Sequence, residues 1–238
     1  MSGDGELRDE VEGIREAVAL GCGILELEGQ GDHVWGHVSA RDPAGRGVWM
    51  KASTFGFDEI TPEHVILVSW EGEVLEGGFS RHFEYPIHTR LLLARPDVNA
   101  VVHTHAQNAV AFASLDVPLR PISREPTFFV PPDVARFTKT GDLVVSDEVG
   151  DDLAEAVGGR NAALMINHGI VTCGDDVPSA VVAALMLDKA CETNLLAYAA
   201  GGPKIWSDDD EALTKRDRIS RPGSIMQTWN YLARKLSR

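Results

Sequence analysis

Eight histidines occur in the 238 residues, and two of them form the pair His103-Thr104-His105 directly after the apolar run Ala100-Val101-Val102. On a β-strand, residues i and i+2 project from the same face. The spacing therefore predicts two imidazoles pointing one way, with β-carbons about 7 Å apart, a workable bite for two ligands on one metal ion. A third candidate, His168, stands in Asn167-His168-Gly169 after the apolar stretch Ala162 to Ile166, where Gly169 would permit a backbone excursion that turns the side chain into a cleft. Three neutral imidazoles with an open position describe a catalytic zinc-type site, since closed structural sites use four ligands. Imidazole also suits Mn2+, Fe2+ and Co2+, so the expected cofactor is a divalent ion, with Zn2+ first among them. The competing reading is structural: an edge-strand pair facing water and a satisfied turn histidine.

Glu84 opens the segment Glu84-Tyr85-Pro86-Ile87-His88, with Glu84 and His88 at i and i+4 on one expected helix face. A carboxylate at a helix start is often only a cap. Beside a metal it is also the usual group for shuttling a proton to or from carbon or water, so Glu84 is the catalytic candidate. Ser39, Arg41 and Ser53 lie in strand-edge and turn contexts that suit an anionic substrate. The thiols Cys22, Cys173 and Cys191 read as packing residues, and no GxSxG elbow is present.

The elements that must position these groups follow from periodicity. Leu7 to Glu28 has helical spacing broken by Gly21 and Gly23. Strands are expected at Val34–Ala40, Gly47–Lys51, Val65–Trp70, Val74–Leu75, Ala100–Ala106, Ala162–Ile166 and Gly169–Cys173. Helices are expected from Glu84 to Ala94, stopped by Pro96, from Val177 to Ala200 after Asp175 or Asp176, and around Gln227 to Leu236. This mixture lacks a regular βαβ beat and predicts one α/β domain, 1–238, whose central sheet is mainly antiparallel or mixed, with a helical extension from about residue 203. No nucleotide-binding glycine loop is visible.

Composition narrows the partners. There are 36 acidic and 22 basic residues, a formal charge of −14, and 44% hydrophobic residues. That balance argues against nucleic acid, whose phosphates demand clustered Lys and Arg, and against disorder. Met1 to Glu10 lacks an apolar h-region, and no run approaches the roughly 20 residues of a membrane span. The expected setting is the cytoplasm, and the expected partner a small molecule.

The order of motifs resembles the class II aldolase/adducin family. The residues that carry the likeness are Gly36-His37-Val38-Ser39-Ala40-Arg41-Asp42-Pro43, Phe57 to Thr61, Glu84 to His88, Arg95 to His105, and Asn167-His168-Gly169. The resemblance implies an αβα-layered domain assembled as a homotetramer with active sites between subunits, with His103, His105 and His168 as metal ligands and Glu84 as ligand or acid/base. The family's sugar-phosphate aldolases cradle phosphate with Gly-Asn-x-Ser, Ser/Thr-Gly and Ser-Ser motifs. Here those places hold Gly36-His37-Val38-Ser39, Ser53-Thr54 and His82-Phe83, while Ser123-Arg124-Glu125-Pro126 stands where a catalytic tyrosine is placed. His82 and Arg124 thereby join Ser39, Arg41 and Ser53 as candidate substrate-binding residues.

The expected activity is metal-dependent carbon–carbon bond cleavage of a non-phosphorylated hydroxy-carbonyl acid, by way of an enolate whose charge a metal stabilises. Two alternatives remain at this point. One is decarboxylation of a hydroxylated aromatic or pyridine dicarboxylate, and the other is a non-catalytic scaffold like the adducin head domain. By position, Arg221, Trp229 or Tyr231 would be available to a neighbouring active site.

Overall fold

The computed structural model describes residues 2–237, with no account of the side chains of residues 2–4. Its strands are β1 (His37–Arg41), β2 (Gly47–Lys51), β3 (Val65–Ser69), β4 (Val74–Glu76), β5 (Ala100–Thr104), β6 (Ala135–Phe137), β7 (Ala162–Met165) and β8 (Gly169–Gly174). They form one sheet in the order β4-β3-β2-β1-β5-β8-β7-β6, antiparallel throughout except for the parallel pair β6–β7. The mixed α/β fold with a mainly antiparallel sheet is the one expected from the sequence.

Strand side chains alternate between two apolar layers, which makes an αβα sandwich. On one face Val38, Ala40, Ala100, Val102, Leu164 and Ile170 pack with α1 (Ser2–Leu27), α3 (Gln107–Ala113), α5 (Val177–Ala199) and α7 (Pro222–Leu236). On the other, Val48, Met50, Val101, Ala163 and Val171 pack with α2 (Tyr85–Ala94) and α4 (Asp147–Val157). The short α6 (Asp209–Ile219) starts at Asp208, whose carboxylate accepts from the Glu211 N–H.

Three local expectations are corrected. The first helix runs unbroken through Gly21 and Gly23. A β-carbon at Gly21 would come within 3.1 Å of Val181, and one at Gly23 within 2.6 Å of Leu236, so these glycines are where α5 and α7 close onto α1. The strand expected from Val34 begins only at His37, because His33 and Gly36 adopt positive φ values of 50° and 73° and bend the chain into a turn. Trp229 is only 6% exposed in the core beneath α1, so packing withdraws it from any neighbouring active site.

Candidate metal centre

The same alternation that builds the layers aims the chemistry. Val101 faces the α2–α4 side, so His103 does too, and β1 sets His37 directly opposite His103 in the ladder. β5 ends at Thr104, and His105 lies one residue past it. His168 immediately precedes β8, the antiparallel partner of β5, which brings it to the same end of the sheet. Gly169 enables this meeting by closeness, not by an unusual φ. A β-carbon there would lie 2.5 Å from the Thr104 carbonyl oxygen, 3.0 Å from His105 and 3.2 Å from His103. The turn's left-handed residue is Asn167, at φ 54°, a residue type that tolerates that region.

Glu84, His103, His105 and His168 each offer a ligand atom, and these atoms all lie within 4.8 Å of one another. Whether they fit a cation is decided by their protons. His103 Nδ1 is 2.9 Å from the Ile170 carbonyl and His105 Nδ1 is 2.9 Å from the Asp32 carboxylate. Both partners are acceptors, so in the neutral rings the protons sit on Nδ1, and two Nε2 lone pairs face each other at 3.2 Å. Two imidazoles at the usual zinc distance of about 2.0–2.1 Å and a tetrahedral angle have nitrogens about 3.3 Å apart. Facing lone pairs repel unless a cation lies between them. His168 makes the same demand: both of its ring nitrogens are buried without a hydrogen-bond partner. Its Nε2 is 3.4 Å from Glu84 Oε1, close in charge but not in hydrogen-bond geometry. These residues fit a divalent metal, and carbonyl and carboxylate contacts behind His103 and His105 are the kind that orient metal-bound imidazoles.

Glu84 caps α2 without bonding its own helix; Oε1 accepts from the Val144 N–H at 2.9 Å. Burial pushes its carboxyl up, but His168, His103 and that N–H outweigh burial and hold it at about 2, an ionised base at neutral pH. His103 is held well below 6.5, mainly by burial, and so is neutral, as a ligand must be.

The other candidates divide. A cleft of about 470 Å³ opens over Glu84 and His105, bordered by Trp35, His37, Ser53, His82 and Phe83. Ser53 donates to the Ser80 carbonyl at its rim, and His82 Nε2 lies 3.3 Å from the buried Lys51 ammonium, which can only donate. Ser39 does not reach the cleft, because it is wholly buried with its hydroxyl 2.6 Å from His88 Nδ1. Arg41 is also placed elsewhere. Its Nη2 donates to the carbonyls of Leu92, Arg95 and Val98 and so serves the C-terminal end of α2. Arg124 borders a separate cavity of about 370 Å³ with Tyr231 and Ile219. Burial pushes the thiols of Cys22 and Cys173 up to about 12 and 11, and raises Cys191 as well. Sequence reasoning missed Asp32 and Lys51, which no motif marks, and saw His37 only as a replacement.

Burial sets an expected acid sensitivity. His82 and His88 are pushed down from 6.5 to about 3, chiefly by burial. The unfolded chain therefore binds protons below about 6.5 that the folded one refuses, and stability falls as pH drops from 6.5 toward 3. Each group sets a slope of up to about 1.4 kcal/mol per pH unit. Urea unfolding at pH 7 and pH 5 should show a lower free energy at pH 5, and equal values would contradict this account.

Among the described residues no helix is long and apolar enough to cross a membrane. Residues 16–195 match the Class II Aldolase and Adducin N-terminal domain. The chain is 33% identical over 208 residues to the 3,4-dihydroxyphthalate decarboxylase of Arthrobacter keyseri, covering 80% of this chain and 81% of that protein. It is 32% identical over 221 residues to the decarboxylase NovR of Streptomyces niveus, covering 91% and 79%. Its fold is similar to that of the L-fuculose 1-phosphate aldolase from Glaciozyma antarctica PI12, with a TM-score of 0.85, 28% identity, and coverage of 97% of this chain and 90% of that one. The matched span takes in β1, Glu84 and all three converging histidines, so the chain belongs to the class II aldolase and adducin N-terminal domain family.

Proposed function

We propose that the chain is a metal-dependent carbon–carbon lyase acting on a small hydroxy-carbonyl acid that carries no phosphate. The observation that carries this reading is the pair of facing Nε2 lone pairs beside an unpartnered buried His168, next to a cleft that His105 and Glu84 border. A divalent ion held by His103, His105 and His168 would supply Lewis-acid polarisation of a carbonyl beside the breaking bond. Glu84, ionised and adjacent, would take the hydroxyl proton or return one to carbon. His105 is held in orientation by Asp32, and His103 by the Ile170 carbonyl.

Several observations argue against a phosphate group. Among the described residues bordering the cleft there is no Lys or Arg. Lys51, the nearest buried cation, spends its ammonium on the Val34 carbonyl and His82. Thr54 keeps φ 71°, a conformation that suits glycine, yet places a β-branched side chain where close backbone approach would be needed. L-fuculose 1-phosphate at millimolar concentration should therefore turn over poorly, and efficient cleavage would overturn this part of the proposal.

The second reading, decarboxylation of a hydroxylated aromatic dicarboxylate, is favoured by one feature. Trp35, Phe83 and Leu143 give the cleft an apolar wall suited to a flat ring, and two of the relatives are named decarboxylases. Screening metal-loaded protein against hydroxy acids for aldehyde and for carbon dioxide separates the readings; release of neither, with metal bound, would favour a scaffold. The assembly we propose is a homotetramer with sites between subunits, in the cytoplasm, and exposed Ile205, Leu196 and Phe83 are consistent with contacts between copies. Light scattering checks it.

A further inference from the structure

We propose that His37 is a specificity-determining donor, offering its Nε2–H to a carboxylate oxygen of the substrate, and that His88 and Ser39 are positioning residues that fix its tautomer. The substrate part rests on the lyase reading; the tautomer does not.

Behind the cleft runs an unbroken hydrogen-bonded line from β1 to α2 and back. Ser39 Oγ lies 2.6 Å from His88 Nδ1, and His88 Nε2 lies 2.6 Å from His37 Nδ1. Ser39 and His88 are wholly buried, while His37 borders the cleft. Each neutral imidazole carries one N–H and the hydroxyl carries one O–H, so the line has two possible polarities. In the first, His37 Nδ1–H donates to His88, His88 Nδ1–H donates to Ser39, and the serine proton must find another acceptor. Among the described residues Ser39 has no second hydrogen-bond partner, so this polarity strands a buried proton. In the second, the Ser39 hydroxyl donates to His88 Nδ1, His88 Nε2–H donates to His37 Nδ1, and His37 must carry its proton on Nε2. That atom has no partner among the described residues, and the ring borders the cleft. Every buried proton is then accepted, and the one unspent donor faces the substrate.

The acceptor follows from the surroundings. Ser53 already donates to the Ser80 carbonyl, and His82 Nε2 already accepts from Lys51, so these neighbours offer less to an incoming anion. With no Lys or Arg on the cleft among the described residues, a carboxylate there must be gripped by neutral donors, and of these, which include the Trp35 indole and the Thr54 hydroxyl, the His37 imidazole is the one whose ring stacks against the metal-ligand candidate His103. His37 stacks on His103 at 4.9 Å between ring centroids, which sets the gripped oxygen beside the ligand cluster.

The first test reads protons directly. Long-range proton–nitrogen correlation of the histidine rings, at one neutral pH and without metal, should find His37 and His88 protonated on Nε2; a His37 proton on Nδ1 overturns the proposal. His88→Leu should let the His37 proton redistribute, and His88→Gln, whose amide nitrogen replaces Nε2, should restore it. A merely structural His88 would leave the His37 tautomer unchanged in both. The second test titrates benzoate into zinc-loaded protein. His37→Leu should weaken binding about tenfold or more, and His37→Gln, with an amide N–H in place of the ring's, should stay within about threefold of wild type. Equal affinity in all three, or no benzoate binding by wild type, overturns the carboxylate role. Failure to bind metal at all would instead sink the lyase reading and leave the tautomer result standing.

Discussion

Replacing Glu84 by glutamine should leave a folded protein that retains its metal and loses about 10²–10⁴-fold in kcat. The substitution is nearly isosteric at a residue only 8% exposed, and a glutamine carbonyl can still accept from the Val144 N–H. What disappears is a carboxylate that stays ionised beside His168 and His103. Metal analysis together with steady-state kinetics checks this, and an undiminished rate would remove Glu84 from proton transfer. The substitution also has a signature independent of substrate. The folded pKa of Glu84 is depressed from 4.5 to about 2, so it contributes stability that is present above about 4.5 and lost as pH falls toward 2. The glutamine variant should lose stability less steeply across that window.

Replacing His103 by alanine should cut metal affinity at least about 100-fold. Apparent free energies for four-ligand zinc sites run to about 10–16 kcal/mol, so one ligand of four accounts for several kcal/mol. His103 is wholly buried and holds its orientation through the Ile170 carbonyl, so truncation also opens a void beside His37 and costs some stability. The decisive measurement is the zinc-dependent rise in Tm. Wild type gains about 2.7 kcal/mol at a hundredfold excess over Kd, and the variant should gain almost none at the same concentration. A circular dichroism spectrum separates this outcome from unfolding. An undiminished zinc response would exclude His103 as a ligand.

The sheet was legible where one strand's pattern sufficed. Gly47–Lys51 has the bounds expected, and Asp176 caps α5 by accepting from the Ser179 N–H. α4 went unread although Ser146 caps it and Leu153, Ala154 and Val157 share its buried face, because six acidic or glycine positions dilute the apolar signal over Asp147–Val157. α3 has no side-chain cap, and β6 has only three residues. At the site, the i, i+2 argument for His103 and His105 anticipated a shared direction, yet the strand stops between them. Their convergence depends on Asp32 from the chain before β1, which no local spacing reveals. Ser39 and Arg41 were substrate-contact candidates because their sequence contexts suggested a strand edge and a turn. Here β1 lies fourth from one edge of the sheet, and its polar side chains are spent on α2. Long-range partnership decided what sequence spacing alone could not.

Position 169 has a consequence for anyone wishing to alter this protein. The β-carbon that an alanine would add meets a main-chain oxygen and both paired imidazoles at once, and the oxygen cannot swing aside as a flexible side chain would. The bite of the ligand set is thus gauged by a single missing methyl group, not by the ligands themselves. Ser53, Thr54 and Phe83 can be exchanged to reshape what enters, whereas even the smallest enlargement at Gly169 should prise the grip open while every coordinating atom stays in the chain.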